Sequence, residues 1–140
     1  MAEINDQWSG KEIAFNDSDV VAFYRKNLEP SIEPGNKEYP WIAYLTFHYK
    51  PKDSTGLPST SDADVLFKIE DEEVNRLEND NLAIHVAAVL QDGIKDLLFY
   101  TRDPDQFLKT AEYFRDTYPD LQVECEISKD EEWGAYYDFP

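Results

Sequence analysis

Apolar and polar positions change period several times along this chain, and each change marks an element. From Trp41 to Tyr49 side chains alternate between two faces, with Trp41, Ala43, Leu45, Phe47 and Tyr49 on one and Ile42, Tyr44, Thr46 and His48 on the other. Both faces are largely apolar or aromatic, which predicts a strand central in its sheet. After a loop carrying Pro51, Gly56 and Pro58, the spacing turns helical. Leu66, Ile69, Val74 and Leu77 form the stripe, Ser61 and Asp64 a capping box, and Asn79-Asp80-Asn81 the stop. Two β-rich runs follow, Leu82 to Leu90 and Ile94 to Arg102, joined through Gln91-Asp92-Gly93. Asp-Gly favours a tight hairpin turn, because glycine accepts a positive φ.

A second helix is predicted after the hairpin. Asp103 caps it, Pro104 occupies its first turn, Pro119 ends it after Tyr118, and Phe107, Ala111, Phe114 and Tyr118 make one face. The chain then alternates again. Leu121, Val123, Cys125 and Ile127 point inward and Gln122, Glu124, Glu126 and Ser128 outward, which reads Cys125 as a small core residue. Residues 1–40 are less regular. Glu12 to Phe15 and Val20 to Arg25 read as two short strands turning at Asn16-Asp17, favoured by the β-branched and aromatic run Val-Val-Ala-Phe-Tyr. A short helix over residues 19–27, capped by Ser18, is the other reading. Pro30, Pro34, Gly35 and Pro40 then break the chain.

These elements sum to an α+β fold in one domain of 140 residues. The expected core, residues 41–128, is a ferredoxin-like β-α-β-β-α-β two-layer sandwich, a mainly antiparallel sheet with two helices on one face. Residues 1–40 add N-terminal strands or loop, and residues 129–140 form an acidic-aromatic tail that packs on the domain. The helix-free face offers a route to a homodimer, with Tyr44 and His48 as candidate contacts; a monomer is the other expectation.

Charge narrows the functional classes. Thirty acidic residues against 13 basic leave a net charge of −17, and residues 70–140 hold 19 acids and 6 bases. Such a surface is repelled by phosphate backbones and anionic membranes and attracts basic proteins, so neither nucleic acid nor a membrane is an expected partner. The single cysteine excludes an internal disulfide and a cysteine-based zinc site. With no long apolar run and a polar start, Met-Ala-Glu-Ile-Asn-Asp, a cytoplasmic protein is expected.

Catalytic motifs are missing from the sequence. It has no glycine-rich phosphate loop, His-Glu-x-x-His, Gly-x-Ser-x-Gly or Cys-x-x-Cys, and no metal or cofactor is expected. His48 and His85 both fall in expected strands, where a structural histidine competes with a general base or half of a metal site. Glu70, beside the apolar stripe, is expected partly buried, with a raised pKa or a fixed basic partner. The best contact surface is the tail, where Trp133, Tyr136 and Tyr137 lie among Asp130, Glu131 and Glu132, aromatic anchors ringed by acids that suit a basic protein. The same rings also read as a closure for one end of the core.

Several short motifs carry a resemblance. Gly56-Leu57-Pro58, Ile69-Glu70-Asp71, the Asp92-Gly93 hairpin, Phe99-Tyr100 and the closing Asp130-x-x-Trp133-x-x-Tyr136 resemble, in this order, the bacterial family called domain of unknown function 695. Arg25-Lys26-Asn27 and Tyr39-Pro40 are similar to it too. The resemblance implies an α+β fold and no established activity. The closing Trp133-x-x-Tyr136 is also similar to the end of the ribonuclease E inhibitor protein B family, an acidic regulator, over about the last tenth of the chain. A non-enzymatic protein-binding or regulatory module is therefore expected. A hydrolase using carboxylate and histidine groups, or an acidic mimic of nucleic acid, is the alternative.

Overall fold

The computed structural model describes residues 7–15 and 18–140. It is an α+β domain built on one open six-stranded sheet in which every neighbouring pair is antiparallel. The strands are β1 (Trp8–Ala14), β2 (Val21–Asn27), β3 (Trp41–His48), β4 (Ala83–Gln91), β5 (Ile94–Thr101) and β6 (Glu124–Lys129), in the spatial order β1-β2-β4-β5-β3-β6. The helices are α1 (Thr60–Lys68), α2 (Asn75–Glu78), α3 (Pro104–Thr117) and a terminal turn α4 (Gly134–Asp138).

Local chemistry explains most boundaries. Asp92 and Gly93 both take positive φ, 44° and 93°, and close the β4–β5 hairpin. Asp103 accepts a hydrogen bond from the Gln106 amide at 3.1 Å and caps α3, with Pro104 in its first turn. The cap of α1 is Ser59, which accepts from the Asp62 amide at 3.2 Å, and not Ser61 with Asp64. Both serines offer a hydroxyl; Ser59 has the extended backbone a cap needs (φ −61°, ψ 164°), whereas Ser61 already lies inside the helix. The stop at residues 79–81 is a tight turn in which Asp80 and Asn81 both sit at φ 58°. The last strand begins at Glu124 rather than Leu121, because Pro119 to Leu121 closes a short helical turn and Gln122 is left-handed.

Near the N-terminus both expected strands form: the first starts four residues earlier, at Trp8, and stops one short of Phe15, the second runs from Val21 to Asn27, and β2 excludes the helix over residues 19–27. The expected turn at Asn16-Asp17 lies outside the described residues. Gly56, at φ 79°, brings the α1 approach against the hairpin: a side chain there would meet the Asp92 backbone at 2.8 Å, and its carbonyl accepts from the Tyr49 hydroxyl at 2.6 Å.

Two apolar layers result. On one face Ala43, Leu45, Phe47, Leu97 and Phe99 pack against Leu66, Ile69, Val74 and Leu77 and against Phe107, Ala111 and Phe114 of α3. Cys125 joins this layer, and burial pushes its thiol up to about 11, so it stays protonated and inert. The opposite face is not free. Ile42, Ile84, Val86, Leu98 and Tyr100 are covered by Trp133 and Tyr136 of the tail.

Candidate functional site

The site begins with a spacing. Leu66 to Ile69 is three residues and Val74 to Leu77 is three, but Ile69 to Val74 is five, too many for one face of an α-helix. The backbone absorbs the extra residue in a wider turn over Ile69–Glu73, where the Val74 amide donates to the Ile69 carbonyl at 3.0 Å. Ile69 and Val74 both stay in the core, and Glu70 turns onto the sheet.

Glu70 meets two cations there. Its Oε2 accepts from Arg25 of β2, and its Oε1 from Lys95 of β5 at 2.5 Å. The side chains of Glu70 and Lys95 are 8% and 11% exposed; that of Arg25 is half-exposed and lies with its guanidinium carbon 4.8 Å from the centre of the Trp8 ring. Burial pushes the Glu70 carboxyl up. The Lys95 charge and hydrogen bond, backed by the Arg25 guanidinium, outweigh that and hold it below the usual carboxylate range. The expected basic partner is thus present; the raised pKa is not.

His85 completes the floor. Its ring lies between Trp8 and Phe99, with centroids 4.8 and 4.9 Å away, and a bulge in β4 falls between it and Ala87. Nε2 sits 3.1 Å from the Ala87 carbonyl, which can only accept, so Nε2 carries the proton. Burial is the main cause holding the imidazole at about 4, so His85 is neutral at pH 7. The unfolded chain takes up a proton near 6.5 that the folded chain refuses until about 4. Stability should therefore fall as pH drops through that window, by roughly 3 kcal/mol at about 1.4 kcal/mol per unit. Urea unfolding at pH 7, 5.5 and 4 measures this, and His85→Gln should flatten the slope between 6.5 and 4. An unchanged slope in the variant would remove His85 as its source.

These groups line a cleft of about 660 Å³, with Phe67 of α1 on its lip and Asp71 and Glu78 among its carboxylates. A second hollow of about 350 Å³ between β1 and β2 shares Trp8 and Arg25 with it and continues past Phe23 and Glu12. Phe67 is 69% exposed. Among the described residues the cleft lining carries no serine, threonine or cysteine, and His85 Nε2 is committed to a carbonyl.

His48 lies elsewhere. It pairs with Ile94 and His85 with Phe99, and on β5 those two positions point to opposite faces, so the two histidines do not meet. His48 Nε2 instead sits 2.7 Å from Glu124 on the outer strip of the sheet.

The tail residues also need correction as contact anchors. Trp133 is fully buried and Tyr136 is 5% exposed; Trp133 stacks on Tyr100 with centroids 4.0 Å apart and donates from Nε1 to the Tyr39 carbonyl at 2.9 Å. Asp130 accepts from the Tyr100 hydroxyl at 2.6 Å and from the Gly134 and Ala135 amides at 3.0 Å each. Only Glu131, Glu132 and Tyr137 of the six remain exposed. Rings with this much area gain more from a core layer than from water, and the bare face of the sheet offered them one.

Trp8, Arg25 and Lys95 were not legible as site residues, since they stand 62, 45 and 25 positions from Glu70. The spacing of five from Ile69 to Val74 was the available signal.

The fold and cleft define a small acidic α+β domain with a buried ion-pair cluster under an aromatic-lipped groove. The chain belongs to the family of unknown function DUF695, whose model matches residues 7–139. No curated protein and no solved structure matches it.

Proposed function

We propose that this domain is a non-enzymatic, cytoplasmic binding module that engages a basic protein segment in the groove between the β1–β2 ribbon and the α1 helix. Phe67 carries the reading: a large aromatic side chain left mostly in water, on the lip of a concavity that also presents Trp8. The groove sets Glu12, Asp71 and Glu78, with the paired Glu70, against Lys11, Arg25 and Lys95, and the net charge of −17 behind it suits a cationic partner. No helix among the described residues is long and apolar enough to cross a membrane.

The strand order β4-β5-β3-β6, with a helical crossover on each side of the hairpin, supports reading the core as ferredoxin-like with β2 and β1 added beyond β4. The strip of the other face left beside the tail carries Glu124 and Glu126 on β6, whose like charges oppose pairing of two copies, so the domain acts as a monomer.

The test is retention of partners from native-host lysate on immobilised domain, comparing wild type with Phe67→Ala and Trp8→Ala. A basic protein held by wild type, released by salt, and reduced roughly 30-fold by either variant is the expected result. Identical proteins on all three columns would overturn the groove as the binding surface.

A further inference from the structure

We infer that the partner segment docks by adding a strand to the free edge of β1, antiparallel or parallel to it. The inference rests on the groove reading above and says how the segment is held.

Among the described residues β1 pairs only with β2, so its other side is a sheet edge. Which of its backbone groups face outward follows from the register. The Leu28 amide donates to the Gln7 carbonyl at 2.6 Å, and Gln7 and Leu28 continue the same ladder as Trp8 and Asn27. In an antiparallel ladder directly bonded pairs alternate with unbonded ones. Ser9, Lys11 and Ile13 therefore turn their amides and carbonyls toward β2, and Trp8, Gly10 and Glu12 turn theirs to the open edge. Those are the residues whose side chains share a face with Arg25 and Phe23, the groove side.

The edge is thus two-part: backbone donors and acceptors spaced for a strand, and beside them a floor that reads alternate side chains. Nothing lies within 4 Å of where a side chain on Gly10 would begin, so an incoming apolar residue has room between Trp8 and Glu12. A basic residue two positions along the segment, on the same face, reaches Glu12. Backbone bonds give affinity and the alternate side chains give specificity, as in other strand-addition modes.

The edge geometry supplies its own test. Proline at Gly10 removes an amide that bonds nothing among the described residues and sets a ring on the outer edge, leaving the β1–β2 ladder whole. Gly10→Ala keeps the amide. The probe is a fluorescent heptapeptide with leucine and lysine taking turns at every second position and serine between them, so that both face the groove, followed by anisotropy at low salt, with thermal unfolding of each variant as the folding control. Gly10→Pro should bind about tenfold more weakly than Gly10→Ala, which controls for the added side-chain carbons, the effect of roughly 1.4 kcal/mol from lost edge bonds. On peptide addition, hydrogen exchange at Gly10 and Glu12 should slow. If Gly10→Pro binds as wild type while Phe67→Ala and Trp8→Ala lose the peptide, strand addition is overturned and the groove reading stands. If wild type does not bind the peptide, or all variants bind it equally, both fall. A dimer of the free domain that Gly10→Pro dissociates would make a second copy the occupant and overturn the basic partner.

Discussion

Trp133→Ala should destabilise the domain by about 3–5 kcal/mol, the range for removing a large buried aromatic side chain from a packed core. The side chain is fully buried, stacked on Tyr100 and bonded to the Tyr39 carbonyl. Truncation opens a cavity in the smaller apolar layer and leaves that carbonyl without its donor. Trp133 also sits at φ 59°, a left-handed conformation that a bulky residue occupies only when its surroundings dictate it. The neighbouring bonds do so. Asp130 grips the Gly134 and Ala135 amides and the Tyr100 hydroxyl, and the Tyr136 hydroxyl donates to the Asn27 carbonyl at 2.6 Å. Stability of a domain this size is about 5–15 kcal/mol, so the variant should melt roughly 10 °C or more lower. Calorimetry reads this directly. Binding of the lysine–leucine peptide should persist below the melting temperature, because Trp133 lies on the face opposite the groove. A variant that melts normally but loses binding would return the tail to the role its sequence suggested.

That contrast shows what the chain spells out and what it does not. Strands and helices whose signals are local were readable: Asp92-Gly93 for the hairpin, Asp103-Pro104 for the start of α3, and the two-sided apolar run for β3. Each depends on residues within a few positions of one another. The tail was legible as a packed segment from its aromatic content, but not which surface would receive it. That depends on both helical crossovers leaving the same face of the sheet bare. Glu70 was legible as a carboxylate at an apolar boundary, yet its partners come from β2 and β5. The bulge that sets His85 between Trp8 and Phe99 has no marker such as glycine in its sequence, Ile-His-Val-Ala-Ala. Sites assembled across a sheet escape a linear reading because register, not spacing, brings their members together.

Glu70→Gln should cost a comparable amount, about 3–5 kcal/mol, for a different reason. The substitution preserves shape, so packing of the turn over Ile69–Glu73 is nearly unchanged. What is lost is the charge that neutralises Lys95, whose side chain is 11% exposed and has no second carboxylate bonded to it among the described residues. An ammonium that reaches so little water must then shed its proton, pull the turn open or draw water in from the cleft. Arg25 contributes less, since its half-exposed guanidinium recovers solvation easily. Replacing both members, Glu70→Leu with Lys95→Met, should restore most of the loss, because two apolar groups of similar volume remove the uncompensated charge along with the pair. Urea unfolding of the two singles and the double measures the coupling, expected to exceed 2 kcal/mol. A single variant within about 0.5 kcal/mol of wild type would mean that the cluster is wet and the groove floor deformable. A strong coupling would mean that Glu70 holds β2 and β5 rigidly beneath the groove, so that a docking segment meets a preformed surface and does not bear the cost of ordering it.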